Sequence, residues 1–211
     1  MNPYLLILTI GLVYVVLFGG LSLLRREGLS TQFAFEVIGI TAIFEAFSIA
    51  TGIVINPIVF MIALYLITMR VRLLVDLAIF LSNRGRQRDA LKMLDFCSRF
   101  LPDKSARLIV LVNMGIVQLR RENPQHAQEL LSQALDEAKD GGMGLKYETA
   151  SHYNLGIAYK KLENKPMAIR EFNEAKVLFP TSIYSKAADR ALEELRSGKR
   201  KETTEDSTEE G

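Results

Sequence analysis

Residues 147–180 read YETASHYNLGIAYKKLENKPMAIREFNEAKVLFP, and this stretch decides the fold of the C-terminal part of the chain. It predicts two antiparallel helices joined by a polar turn at residues 164–165. Gly156 and Ala168 are small enough to let the two helices approach closely. Pro180 ends the second helix because proline cannot continue the backbone hydrogen-bond ladder.

The same stretch carries a family pattern. With Thr149 as the first position of a 34-residue unit, His152 stands where the pattern has a tryptophan, and seven other positions match. The matching residues are Leu155, Gly156, Tyr159, Ala168, Phe172, Ala175 and Pro180. The stretch therefore resembles a tetratricopeptide repeat (TPR). The resemblance implies a stack of helix pairs that holds a partner protein.

Two weaker copies of the pattern precede this unit. Residues 108–141 and 71–104 form the earlier repeats, residues 149–182 the third, and residues 183–196 an amphipathic capping helix, so the predicted repeat domain covers residues 70–196. The copies are carried by Gly115, Ala127, Leu131 and Ala134, and by Leu77, Ala78, Ala90, Leu94, Cys97 and Pro102. Residues 197–211 have no apolar side chain and are predicted to be a disordered acidic tail.

The first 69 residues are apolar and predict a transmembrane region. Residues 4–24 lack charged side chains and are long enough to cross a bilayer, and no positive side chain precedes them as in a signal peptide. Residues 33–69 are too long for one crossing and are interrupted at Gly52, Asn56 and Pro57. Two further crossings, 33–51 and 53–69, account for this length. The predicted protein is all-α, with three crossings before the repeats.

Basic residues set the predicted topology. The pair Arg25-Arg26 and a second cluster should both face the cytoplasm, which places the N-terminus outside and the repeats inside. The second cluster is Arg70, Arg72, Arg84, Arg86 and Arg88, and it is predicted to contact anionic lipid. The expected location is an inner or thylakoid-like membrane. A net charge of +2 is too small to favour nucleic acid as a partner.

Two features inside the second crossing suggest further roles. Ala42, Ala46 and Ala50 form a ladder of small residues, interpreted as packing within the helical hairpin in preference to a dimer seam. Glu45 lies well inside the segment, where a charge is costly, and Tyr14 of the first crossing is placed to reach it. Glu45 is either an ion site or a protonated carboxyl group that joins helices or binds a pigment, lipid or partner helix.

The first repeat helix is predicted to continue the third crossing. The sequence VRLLVDLAIFL has only Arg72 and Asp76 as polar members, so it should be buried on nearly all sides. One uninterrupted helix is therefore expected over residues 53–81.

The resemblance places a partner-binding groove on the first helix of each repeat. Its predicted members are Val75, Ile79, Val112, Ile116, Leu119, Tyr153, Ile157 and Lys160. Apolar residues replace the carboxylate clamp of chaperone-binding TPR domains, so the groove suits a hydrophobic or helical segment, or the protein's own chain.

The sequence predicts no catalytic, metal or cofactor site. His126 is expected in solvent, His152 in packing, and Cys97 buried and inert, consistent with a reducing compartment. The expected function is a membrane-anchored scaffold or assembly factor for a membrane complex. The alternatives are a stoichiometric accessory subunit and a small ion-coupled transporter component centred on Glu45.

Overall fold

A computed structural model describes residues 3–24, 30–100 and 102–209, with side chains at 5–24, 30–100 and 102–197. Within these ranges the chain is all-helical and has no strand. The helices are α1 (Pro3–Leu24), α2 (Thr31–Thr51), α3 (Pro57–Thr68), α4 (Arg70–Asn83), α5 (Gln87–Ser98), α6 (Lys104–Arg120), α7 (Pro124–Ala138), α8 (Leu145–Lys161), α9 (Lys165–Leu178) and α10 (Ile183–Glu209).

The chain divides into two compact units, Met1–Val110 and Leu111–Gly211. The division falls within α6, whereas the sequence placed the domain boundary between residues 69 and 70. Each unit is described below by itself.

The first unit contains the apolar helices expected for a membrane. Within the described residues, Leu5–Leu24 and Thr31–Thr51 are each long and apolar enough to cross a bilayer, and α3 with α4 qualifies as a third span only as a bent pair. Phe60 and Leu64 of α3 pack with Ile7 and Tyr14 of α1 and Val37 of α2. The outward faces remain apolar, with Leu12 and Ile43 more than 60% exposed, as lipid-facing side chains are.

The break between α2 and α3 lies where the sequence predicts it. Gly52 ends α2 in the left-handed region, with a φ of 69°, which glycine adopts without steric cost. The side-chain oxygen of Asn56 accepts a 2.9 Å hydrogen bond from the backbone N–H of Ile58, and Pro57 occupies the first turn. Residues 53–56 are not helical.

The expected uninterrupted helix over residues 53–81 is wrong. Helix α3 ends at Thr68 and α4 begins at Arg70, and their axes are bent by 65° at Met69. No proline or glycine marks this position. The physical reason is a long-range contact, because the Arg70 side chain bonds to Glu36 near the start of α2.

Helices α4 and α5 form the pair predicted for the first repeat. Leu77, a position of the repeat pattern, is 44% exposed, and Val75, a predicted groove residue, is buried. The buried side chains of the pair are small or apolar. They are Val71, Val75 and Ala78 on α4, and Ala90, Leu94 and Cys97 on α5.

Two glycine contacts in the second unit share one geometry. A Cβ atom at Gly115 would lie 2.6 Å from Cγ of Leu131, and one at Gly156 would lie 2.6 Å from Cε1 of Phe172. Both contacts join the first helix of a pair to the second, across the same sequence separation. A side chain larger than hydrogen cannot fit at either glycine unless its neighbour moves.

The remaining structural residues of the repeat pattern lie in or beside this packing. Ala127, Ala168 and Phe172 are fully buried. Tyr159 is partly buried and packs on the core formed by α9 and α10, and α9 ends before Pro180. After α7, Gly141 and Gly142 have φ values of 85° and 97°, so the turn depends on glycine, as the sequence indicated.

Helix α10 differs from its predicted length. It runs from Ile183 to Glu209 and so extends through most of residues 197–211, which were expected to be disordered. Glu, Lys and Arg are good helix formers, and no proline interrupts the segment. Gly211 lies outside the described residues.

Candidate interaction sites

An ion pair joins three elements of the first unit. Nη1 of Arg70 lies 2.8 Å from Oε2 of Glu36, and Nη2 lies 2.9 Å from Oε1. The same guanidinium donates to the carbonyls of Ile67 and Phe100, and Gln32 donates to Glu36. Such a bidentate pair fixes orientation as well as position. The start of α2, the start of α4 and the end of α5 are therefore held together.

The first unit has a cavity lined in part by this ion pair, and a separate apolar groove. The cavity has a volume of about 280 Å³ and includes Ser22, Ser30 and Asp76 in its lining. The groove, about 610 Å³, lies between α1 and α3 and is lined almost wholly by apolar side chains such as Leu17 and Met61. Its apolar lining suits acyl chains or another helix.

The polar groups predicted inside the membrane do not pair as expected. The hydroxyl of Tyr14 is 2.8 Å from Oγ1 of Thr68 and not beside Glu45. The Ser48 hydroxyl donates to the carbonyl of Ile53 at 2.6 Å, which satisfies one backbone group of the non-helical segment. Oε1 of Glu45 is buried with no hydrogen-bond partner among the described residues. Helical depth suggested a Tyr14–Glu45 contact, but the hydroxyl of Tyr14 pairs with Thr68 of α3 instead.

The ladder of small residues on α2 lies on the exposed face. Ala42, Ala46 and Ala50 are all exposed, so they do not pack within the hairpin as the sequence interpretation had it. The residues of α2 that do pack inward are Val37, Thr41 and Ser48.

The predicted partner groove is closed at several of its members. Val75, Val112 and Leu119 are 2%, 0% and 7% exposed, and Ile79 and Ile116 are partly buried. Buried side chains of this kind hold helices together and leave little surface for a partner.

In the α8–α9 pair, the predicted groove side chains contact the chain's own α10. The ring of Tyr153 lies 5.9 Å from that of Tyr184 on α10, and Ile157 packs on the core that α9 and α10 form. Nζ of Lys160 is 2.7 Å from Oε2 of Glu194 on α10. The protein's own chain, one of the occupants considered from the sequence, takes this face.

Two other apolar surfaces are exposed instead. The second unit shows Val177 and Ile183, 74% and 75% exposed, at the junction of α9 and α10, with Phe179 between them in sequence. The first unit shows Leu73, Leu77 and Phe80 on α4, 37%, 44% and 49% exposed. The spacing of the α4 residues is visible in the sequence, but the sequence predicts burial on nearly all sides of this helix, and the exposure of these three residues contradicts that.

The predicted lipid-contacting arginines differ in exposure. Arg84, Arg86 and Arg88 are exposed, whereas Arg70 and Arg72 are partly buried. The guanidinium of Arg84 lies 4.3 Å from the ring centre of Phe80. Arg25 and Arg26 lie outside the described residues.

The cysteine and the two histidines, none of which is predicted to take part in chemistry, lie in different environments. Cys97 is fully buried, and burial raises the pKa of its thiol, which disfavours the reactive thiolate. His126 is exposed. His152, expected only to pack, has its Nδ1 2.7 Å from Oε2 of Glu171, whose side chain is 5% exposed. No local sequence pattern indicates this pair, because its members lie on different helices.

We expect Glu171→Ala to lower the free energy of unfolding by about 1–3 kcal/mol, because it leaves the partly buried imidazole of His152 without its partner. Glu171→Gln keeps an acceptor and should cost less. Chemical unfolding of the full chain in detergent micelles measures both, with exposed Glu174→Ala on the same helix as the control. Equal effects of the alanine variants at 171 and 174 would contradict a stabilising role for the pair.

The described residues contain no cluster of three or more histidine, cysteine or acidic side chains that could hold a metal ion. No protein-family model matches the chain, and no curated protein is similar enough to count as a relative.

Proposed function

We propose that the protein is a membrane-anchored scaffold or assembly factor for a membrane complex, and that its repeat region is a TPR-type array. The observation that carries the proposal is the recurring glycine contact, Gly115 with Leu131 and Gly156 with Phe172. Recurrent helix pairs of one geometry are typical of proteins that bind partners along a stacked surface. The proposed role is binding and not catalysis.

The proposed partner is a hydrophobic or helical segment of a complex subunit. Because the predicted groove residues are largely buried, we propose that the partner binds Val177, Phe179 and Ile183, which we call the α9–α10 patch. Exposed apolar side chains grouped in this way mark protein interaction sites more often than scattered single residues do. Binding close to the bilayer remains part of the proposal.

The proposed topology has three crossings, with the N-terminus outside and the repeats in the cytoplasm. The Glu36–Arg70 pair supports an odd number of passages, because it places the end of α3 beside the start of α2. The third passage is long enough to cross the hydrocarbon core. The 12 helical residues of α3 and the four residues before them reach about 31 Å, and the core is about 30 Å thick. A C-terminal reporter active only outside the cytoplasm would overturn the topology.

The partner surface is tested by changing Val177 and Ile183 together to serine. Because both side chains are about three-quarters exposed, we expect the variant to fold normally and to lose at least about 90% of the co-purifying complex subunits. The measurement is quantitative pull-down in mild detergent, with Lys186→Ser as the matched exposed control. Undiminished capture by the double variant would reject this patch as the contact.

The same pull-down separates the scaffold from the accessory subunit. Substoichiometric capture of immature complexes supports an assembly factor, whereas a fixed ratio to mature complexes supports a subunit.

The transporter alternative rests on the unpaired Oε1 of Glu45. Unchanged cellular function in Glu45→Gln would remove that alternative.

A further inference from the structure

Helix α4 has two apolar faces on opposite sides. Successive residues of an α-helix are rotated by about 100°, so Val71, Val75 and Ala78 form one face and Leu73, Leu77 and Phe80 the other. The first face is buried against α5. The second, here called the α4 ridge, is exposed. Packing against α5 therefore accounts for only one of the two apolar faces of α4.

The position of α4 along the chain places it at the membrane surface. It begins one residue after α3, and a 65° bend leaves its axis about 25° from the membrane plane when α3 follows the membrane normal. Over 14 residues, such a helix rises only about 9 Å. That distance is close to the thickness of one polar headgroup layer. The whole of α4 then stays near the boundary between water and acyl chains.

The exposed face of α5 is more strongly charged than that of α4, although Phe96 on α5 is 47% exposed. The face of α5 directed away from α4 carries the charged residues Lys92, Asp95 and Arg99, and the last two form an exposed 2.9 Å ion pair. The α4 ridge lies on the opposite side of the hairpin. Arg84 lies over Phe80 at one end of the ridge, and Arg86 follows it, a composition typical of helices that lie in an anionic membrane interface.

We propose that the α4 ridge inserts into the bilayer interface, with anionic phospholipid as the partner of Leu73, Leu77 and Phe80. Helix α4 is then a surface helix and not the second half of a broken span. The Glu36–Arg70 pair holds it in this orientation, because that pair fixes the first residue of α4 to the start of α2. The inference rests on the membrane insertion of α1 to α3 contained in the proposed function.

Tryptophan fluorescence tests the proposal directly, since the natural chain has no tryptophan. The full-length protein with Phe80→Trp is reconstituted in vesicles that contain anionic phospholipid, with lipids brominated either near the headgroup end or near the terminus of the acyl chain. We expect emission at short wavelength and stronger quenching by the shallow bromines. Leu17→Trp on α1 serves as the spanning reference, and Lys92→Trp on α5 as the reference in water.

The outcomes separate this inference from the proposed function. If Leu17→Trp is quenched and Phe80→Trp is not, α1 is inserted but the ridge is not in lipid, and the inference is overturned. If Leu17→Trp also escapes quenching, membrane anchoring itself fails. Short-wavelength emission from Phe80→Trp that depends on protein density, without lipid quenching, assigns the ridge to a second copy and likewise overturns the inference.

A second variant keeps the test independent of the single aromatic position. Adding Leu73→Gln and Leu77→Gln to Phe80→Trp should reduce lipid quenching toward the level of Lys92→Trp, because the remaining ridge no longer favours burial in the acyl region. Quenching should also weaken when zwitterionic lipid replaces anionic lipid or when salt is raised. Quenching that is unchanged in all these conditions would contradict the assigned lipid contact.

Discussion

Gly156→Ala should destabilise the protein, although alanine is normally the better helix residue by about 1 kcal/mol. The added Cβ atom would lie 2.6 Å from Cε1 of Phe172, whose side chain is fully buried. We expect a net loss of about 1–3 kcal/mol in the free energy of unfolding, since overpacking outweighs helix propensity. Denaturant unfolding of the full chain in micelles, followed by circular dichroism, measures the change.

The sign of the effect is the decisive observation for Gly156. Gly39→Ala in α2 is the control, because nothing lies within 4 Å of a Cβ atom there, and that substitution should be neutral or stabilising. Adding Phe172→Leu to Gly156→Ala should recover part of the loss by removing ring atoms from the contact. A gain in stability for Gly156→Ala alone would show that the two helices are not in close contact.

Arg70→Gln should destabilise the first unit and release the bend at Met69. Its ion pair with Glu36 is bidentate, and the side chains are 27% and 28% exposed, so removal should cost more than loss of a surface pair. We expect a loss of about 1–3 kcal/mol. A double-mutant cycle with Glu36→Gln, measured by thermal unfolding in micelles, isolates the interaction because the double variant should lose less than the sum.

A matched control for this pair lies in α5. Arg99 pairs with Asp95 in the same unit, but the side chains are 74% and 57% exposed, so Arg99→Gln should cost no more than about 0.5 kcal/mol. Spin labels on α3 and α4, in a Cys97→Ala background, report the bend as a distance. Equal stability losses for Arg70→Gln and Arg99→Gln, with no change in that distance, would refute an orienting role for Arg70.

Local sequence patterns predicted the helix pairs and their buried positions. Ala127, Ala168 and Phe172 are all fully buried, as expected from residues whose size and periodicity suit a helix–helix contact. The break around Gly52 and Pro57 was likewise predictable, since glycine and proline act on the backbone at their own positions.

The features that the sequence could not predict involve contacts between residues far apart in the chain. The bend at Met69 adjoins the ion pair of Arg70 with Glu36, which lies 34 residues earlier in the chain, and no local pattern marks it. Tyr14 bonds to Thr68 and not to Glu45. The sequence predicted the other contact because depth in the bilayer does not determine how a helix is rotated about its own axis. Tyr153 and Lys160 of the predicted groove contact α10, whose path the repeat pattern does not specify.

The short length of α3 has a consequence for the surrounding lipid. The 22-residue α1 is about 33 Å long and can adjust to a thick bilayer by tilting, whereas the 12-residue α3 has no length to spare. A hydrocarbon layer thicker than this passage must thin beside α3, at a cost that grows with each ångström of mismatch. In the proposed three-crossing topology, the bundle therefore fits thinner bilayers with less deformation than thicker ones.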